Sequence, residues 1–193
     1  MTARANRHEP EWAMVIVLFV DIRGFTTFVD CATAREAVDY LNEFFAQVVP
    51  VVKRHGGQAN KLLGDGLLAV FDDPDHAGHG LAAAREMIAA VDAHFGDRCR
   101  IGIGINSGLV LLGTIGTPDL SEVGVIGDPV NVAARVQDAT RELGESLLLT
   151  EATRCLLDQD EEHTEPRGTL ALRGRSAPVA VYALRSISIG AMS

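Results

Sequence analysis

Two aspartates stand at the ends of two of the most apolar stretches in the chain. Asp21 closes the run in "VIVLFVDIRGFT", residues 15–26, and Asp65 sits between glycines in "KLLGDGLLAVF", residues 61–71. A carboxylate at the end of an apolar strand is costly unless it is paired or holds a cation. Two such carboxylates brought together would hold Mg²⁺ or Mn²⁺, hard cations that prefer oxygen ligands. Two metals about 4 Å apart suit in-line displacement at phosphorus. Asp65 also has a plainer reading, because Asp-Gly between apolar runs is the strongest short-range hairpin signal. Exposed backbone N–H groups where "IRGFT" turns into a helix would bind phosphate. Asn131 and Arg135 lie four apart in "PVNVAARV" and so share a helix face. They read either as a polar stripe on a surface helix or as a donor pair aimed at charge developing on a phosphoryl group.

Other polar clusters carry less. Asp75, His76 and His79 follow Pro74 and read as helix capping and solvated surface rather than a metal site. Arg173 and Arg175 in "LRGRS" read as a charged hairpin turn that could also meet phosphate.

The elements that must position these groups follow from periodicity. Residues 14–21 form a buried strand. From Thr33 to Gly57, Val38, Leu41, Phe45, Val48 and Val52 recur at helical spacing, with Pro50 near the end and Gly56-Gly57 as the stop. Residues 58–71 give a hairpin, and 72–96 a second, Ala-rich helix. "RCRIGIGINSGLVLLGTIG" predicts a strand, a turn at Asn106-Ser107-Gly108 and a second strand. A short strand over 121–128 precedes a third helix, with Asp128 as N-cap and Pro129 at its first position. Strand 146–150, a short helix at 151–158 and a hairpin over 169–184 complete the chain. The order β-α-β-β-α-β with C-terminal additions predicts an α+β, ferredoxin-like split βαβ sandwich. In that sheet the first and third strands are neighbours, so Asp21 and Asp65 come close.

Composition narrows the function classes. The 193 residues suit one domain, expected over 12–185, with 1–11 as a leader and 186–193 as a tail. A net charge of −9 argues against a nucleic-acid-binding surface. Cys31, Cys99 and Cys155 give neither a disulfide framework nor a zinc site, which fits a reducing cytoplasm. No apolar run approaches the roughly 18 residues of a membrane span.

"FVDIRGFT", "NKLLGDGLLAVF", "GINSG" and "VIGDPVNVAARV", in this order and at these separations, resemble the catalytic domain of class III nucleotidyl cyclases. The likeness covers roughly residues 12–185. It implies conversion of a nucleoside triphosphate to a 3′,5′-cyclic monophosphate and pyrophosphate, with two Mg²⁺ or Mn²⁺ per site. It also implies a head-to-tail homodimer with composite sites. By position, Asp21 and Asp65 match the metal-binding aspartates, and Ile22 the residue whose carbonyl assists one metal. Phe25 and Thr26 fall in the triphosphate-binding turn. Asn131 matches the residue that orients the ribose, Arg135 the one that stabilises the transition state, and Arg175 a lysine on the terminal phosphates. Lys61 falls at the purine-selecting position, where an ammonium donates to adenine N1 and so favours ATP. Its usual partner, an acceptor for adenine N6, is replaced by Gly124, which weakens base selectivity. The alternatives are a nucleotide-binding, cyclase-like domain without turnover, and a guanylyl cyclase. The resemblance places Lys61 and Asp65 of one chain in opposite sites.

Overall fold

A computed structural model describes residues 9–117, 119–158, 163–171 and 177–184. In chain order the elements are β1 (Glu11–Ile22), α1 (Phe25–Val29), α2 (Ala34–Arg54), β2 (Gln58–Leu63), β3 (Gly66–Phe71) and α3 (His76–Phe95). There follow β4 (Ile101–Thr117), β5 (Leu120–Ile126), α4 (Asp128–Glu142), β6 (Leu147–Thr150), α5 (Glu151–Arg154), β7 (Thr164–Leu170) and β8 (Val179–Leu184). The strands join in one sheet of order β2-β3-β1-β4-β6-β8-β7, with β5 paired to β4 off that path. Its first four strands run β2-β3-β1-β4, all antiparallel, which is the expected split βαβ core. The fold is the α+β sandwich read from the sequence.

Helices cover both faces of the sheet, and the alternation of β1 assigns its side chains to them. Ile16, Leu18, Val20 and Ile22 join Phe44, Val48, Leu81 and Met87 under α2 and α3. Val15 and Val17 turn the other way and meet Val110 and Ala133 under α4. Successive strand residues point to opposite faces, so one run feeds two cores. Each large aliphatic side chain buried there contributes about 1.5–3 kcal/mol.

Local chemistry fixes the ends of α2. Thr33 Oγ1 accepts from Glu36 N at 3.3 Å. The Glu36 carboxylate accepts in turn from Thr33 N at 2.8 Å. The two bonds form a reciprocal capping box. The helix continues through Pro50 to Arg54, with Lys53 and Arg54 in its last turn beside the negative end of the dipole.

Several expectations are corrected. No turn exists at Asn106-Ser107-Gly108, since β4 runs unbroken through them and pairs with Val17, Ile16 and Val15 of β1. These turn-type residues serve long-range contacts instead. Asn106 donates Nδ2 to Pro129 O at 3.1 Å and accepts from Thr150 Oγ1 at 2.7 Å. A Cβ on Gly108 would collide with the Pro129 ring. Val38 is exposed, and the buried residues of α2 are Phe44, Val48, Val51 and Val52. The N-cap of α4 is Gly127, with Asp128 already helical. Asp75 precedes α3 but makes no side-chain cap; Asp73 instead accepts from Asp75 N at 2.9 Å and holds His79 Nδ1 at 2.9 Å. The last hairpin starts at Thr164, and α5 ends at Arg154. Among the described residues no helix is long and apolar enough to cross a membrane.

Candidate active site

Asp21 is the next odd position of β1 after Val15, Val17 and Phe19, so its carboxylate emerges on the α4 face. Its backbone lies between Gly66 of β3 and Gly102 of β4. A Cβ on Gly66 would stand 3.1 Å from Asp21 Oδ1, so glycine there keeps room for the carboxylate. Asp65 belongs to the two-residue turn between β2 and β3, in which Gly64 takes φ 69°, open to glycine at little cost. The turn is clamped to β1 by Ile22 N donating to Asp65 O at 3.3 Å. Asp65 is therefore both a hairpin residue and a neighbour of Asp21, close enough for its charge to act on the Asp21 carboxyl.

Their crowding has an electrostatic signature. Burial, then the charge of Asp65, pushes the Asp21 carboxyl up from 3.8 to about 6, while the Arg141 guanidinium pulls the other way. The folded state thus binds a proton that the unfolded state has released between those values. Stability falls as pH rises through this window, and the penalty is complete above about pH 6. Asp21→Asn is expected to stabilise the metal-free protein at pH 7.5. With Asp21 half-buried, the discounted gain is on the order of 1 kcal/mol, or about 2–4 °C in Tm. At pH 4 the two proteins should melt together. Thermal melts in a chelator check this, and an Asn variant that melts lower at pH 7.5 refutes it.

A cavity of about 300 Å³ opens beside Asp21, lined among others by Arg23, Gln137, Asp138, Thr140 and Arg141. Sequence reasoning assigns no role to Arg23, although it lies within "FVDIRGFT", nor to Arg141, which lies outside every motif. Arg23 donates to Thr140 O at 3.1 Å and to Glu145 O, which ties the end of β1 to the end of α4. Ile22 is buried under α2 and α3, so only its backbone faces any ligand. Phe25 opens α1 and its ring lies 6.2 Å from that of Tyr40, with Thr26 exposed beside it.

Of the remaining candidates, Arg135 reaches Asp138 on the rim of this cavity, and the others lie farther along α4 or on the β2–β5 edge. Asn131 is exposed in the first turns of α4, whereas Arg141 is in its last turn. A helical rise of about 1.5 Å per residue separates the two by roughly 15 Å along the axis. Arg135, also exposed, pairs with Asp138 at 3.2 Å. Lys61 projects from β2 and meets Glu122 of β5 at 2.7 Å. Asn60 Nδ2 donates to Val123 O at 2.9 Å and fixes the two strands side by side. Gly124 is buried two residues beyond Glu122, and a Cβ there would collide with Ile115. One chain thus brings Asp21 and Asp65 together, and Lys61 near Gly124, while Asn131 and Arg135 stay exposed on α4, Arg135 held on Asp138 at the rim of the Asp21 cavity. Arg173 and Arg175 lie outside the described residues. Glu122 was missed, although its alternation with Gly124 in "SEVGVIG" was a usable signal.

Comparison with known proteins converges on one family. Residues 8–186 match the model of the adenylate and guanylate cyclase catalytic domain. An uncharacterised protein of Mycobacterium tuberculosis is 36% identical over 93% of this chain and 33% of its own. An adenylate cyclase of Anabaena cylindrica is 30% identical over 88% of this chain and 36% of its own. The chain therefore spans about a third of the length of these curated relatives. The adenylyl cyclase CyaB of P. aeruginosa superposes with a TM-score of 0.78 at 26% identity, covering 92% of this chain and 96% of its own. The guanylate cyclase domain of a Catenaria anguillulae protein, solved with GTP, superposes with a TM-score of 0.81 at 24% identity, covering 91% and 98%. This chain belongs to the class III adenylate and guanylate cyclase catalytic domains.

Proposed function

We propose that this domain is an adenylyl cyclase, which converts ATP to 3′,5′-cyclic AMP and pyrophosphate in a head-to-tail homodimer with two Mg²⁺ or Mn²⁺ per site. The observation that carries the reading is the meeting of Asp21 and Asp65 at a rigid strand end. Burial first, and then the neighbouring Asp65 charge, raise the Asp21 pKa, and a hard cation bound by the two carboxylates would relieve both. Among the described residues no larger His, Cys, Asp or Glu group is present. A pair suffices for Mg²⁺, which is usually held by one or two carboxylates plus substrate phosphates.

Bound there, the divalent cations would supply charge neutralisation to the triphosphate and acidity to the ribose 3′-hydroxyl that attacks the α-phosphorus. The chain's own residues do the rest. Asp21 and Asp65 hold the ions, with the Ile22 carbonyl as an added oxygen. The turn at Phe25 and Thr26 offers backbone N–H groups to the phosphates. From the partner chain, Asn131 orients the ribose and Arg135 stabilises charge on the transferring phosphoryl group. Arg175 is assigned to the terminal phosphates. The Lys61 ammonium donates to adenine N1, an acceptor, whereas guanine presents an N1–H donor there. Gly124 supplies no acceptor for the 6-amino group.

Product formation from ATP and from GTP, in Mn²⁺ and then Mg²⁺, tests the reading. Cyclic AMP is the expected main product. Exclusive cyclic GMP formation would convert the assignment to guanylyl cyclase, and no product from either would reduce it to a cyclase-like binding domain.

A further inference from the structure

Arg23 stands where the strand that carries Asp21 ends. Its backbone N donates to Arg100 O at 2.7 Å, which carries the pairing of β1 with β4 one residue past Ile22. Alternation sends its side chain out on the same face as that of Asp21, and both line the cavity of about 300 Å³ at the end of α4. Gly24, at φ 74°, then turns the chain away into α1. The guanidinium crosses to α4, where Nη2 donates to Thr140 O at 3.1 Å and to Glu145 O.

α4 does not need these bonds. Leu143 N donates to Ala139 O at 3.0 Å, Gly144 N to Arg141 O at 3.4 Å and Glu145 N to Thr140 O at 2.9 Å, so backbone groups close the helix end. The arrangement also works against stability. Arg23 Nε is buried without a hydrogen-bond partner, and an unpaired buried donor is unfavourable. Burial, then the like charge of Arg141, holds the guanidinium below the usual arginine pKa. What the contact does achieve is geometric. Ile22 N on Asp65 O and Arg23 N on Arg100 O hold the strand end within the sheet. The Arg23 side chain braces that end against a helix in the next layer. The Asp21 carboxylate and the Ile22 carbonyl lie within two residues of the brace. Resting on the two-metal reading above, we infer that Arg23 is a positioning residue for the metal site. It acts through Asp21 and Ile22, by fixing their oxygens relative to one another, and not on the substrate.

Thermal melts of the 193-residue chain with added Mn²⁺ and no nucleotide read this without turnover, because an ion that binds only the folded state raises Tm. In Arg23→Gln the Mn²⁺ concentration that gives the wild-type rise in Tm should be about 10- to 100-fold higher, the range for losing a group that orients metal ligands. The Mn²⁺ concentration for half-maximal turnover should shift by a similar factor. Arg23→Lys keeps the charge but loses the forked donor, so it should fall in between, at about 3- to 10-fold. Melts in a chelator report the change in stability on its own. The sign of the Mn²⁺ shift separates the alternatives. Removing a nearby cation would by itself favour Mn²⁺ binding. A brace that serves only stability would lower Tm in the chelator and leave the Mn²⁺ response as in the wild type. Either result in Arg23→Gln overturns the proposal. If that variant is unfolded at the assay temperature, a wild-type Mn²⁺ response in Arg23→Lys overturns it. If Mn²⁺ raises the wild-type Tm but no triphosphate is turned over, the cyclase reading falls while the melts still decide this inference. A wild-type chain indifferent to Mn²⁺ in both assays removes the two-metal reading, and this inference with it.

Discussion

Asp21→Ala and Asp65→Ala should each abolish cyclic nucleotide formation, even in saturating Mn²⁺. Metal stabilisation of transition-state charge amounts to several kcal/mol, so the loss is on the order of 10³-fold or more. The folded state should survive both changes, because Asp21→Ala removes a carboxylate whose charge burial disfavours and Asp65→Ala removes the like charge beside it. Asp65 needs a second variant, since it also forms the hairpin turn. Asn tolerates turn geometry and offers a neutral oxygen, so Asp65→Asn keeps the hairpin and removes the charge. If Asp65→Asn retains near-wild-type turnover while Asp65→Ala does not, Asp65 is only a turn former. If either Ala variant keeps more than about 1% of wild-type activity in excess Mn²⁺, the two-metal assignment is wrong.

That Asp65 is both a turn residue and a neighbour of Asp21 was legible in part. The run ending at Asp21 and the Gly-Asp-Gly turn were visible as local signals. Their meeting followed from the topology, because β1 and β3 are neighbours in a split βαβ sheet. The side of the sheet was also available from alternation once Val15 and Val17 were known to lie under α4. What could not be read locally were contacts that one element makes through another. Asn106-Ser107-Gly108 carries turn chemistry, yet its residue types answer to Pro129 and Thr150, more than 20 and 40 positions away. Val38 fits the helical period of α2 but is exposed, since periodicity identifies a face and not where the neighbouring layer ends. Glu122 escaped for the same reason. Its strand position was readable, but its partner Lys61 is 61 residues away on a strand that pairs with β3, not with β5.

Mixing two inactive variants should restore activity. In the proposed head-to-tail dimer the carboxylate pair at the end of β1 is completed by Asn131 and Arg135 of a second copy, both of which are exposed on α4 in the single chain. The surface has a patch suited to receive one. Trp12, Met14, Leu109 and Ile126 are each at least half exposed. They cluster across β1, β4 and β5, because Met14 pairs with Leu109 while Trp12 and Ile126 both pair with Leu111. An apolar patch of this kind marks an interaction surface. In a twofold dimer each chain would lend its aspartates to one site and its Asn131 and Arg135 to the other. Asp21→Ala and Arg135→Ala homodimers would then each carry the same lesion twice and be nearly inactive. In the heterodimer both lesions fall in one site and the other is intact. Random exchange of equal amounts makes half the dimers heterodimers with one working site of two, so about a quarter of wild-type activity should return. If each chain instead held a whole site, no heterodimer would contain an intact one, and mixing would restore nothing. The assay is turnover against mixing ratio, with heterodimer content measured by differently tagged chains. Heterodimers present without activity would exclude shared sites, whereas recovery that rises with heterodimer content requires them.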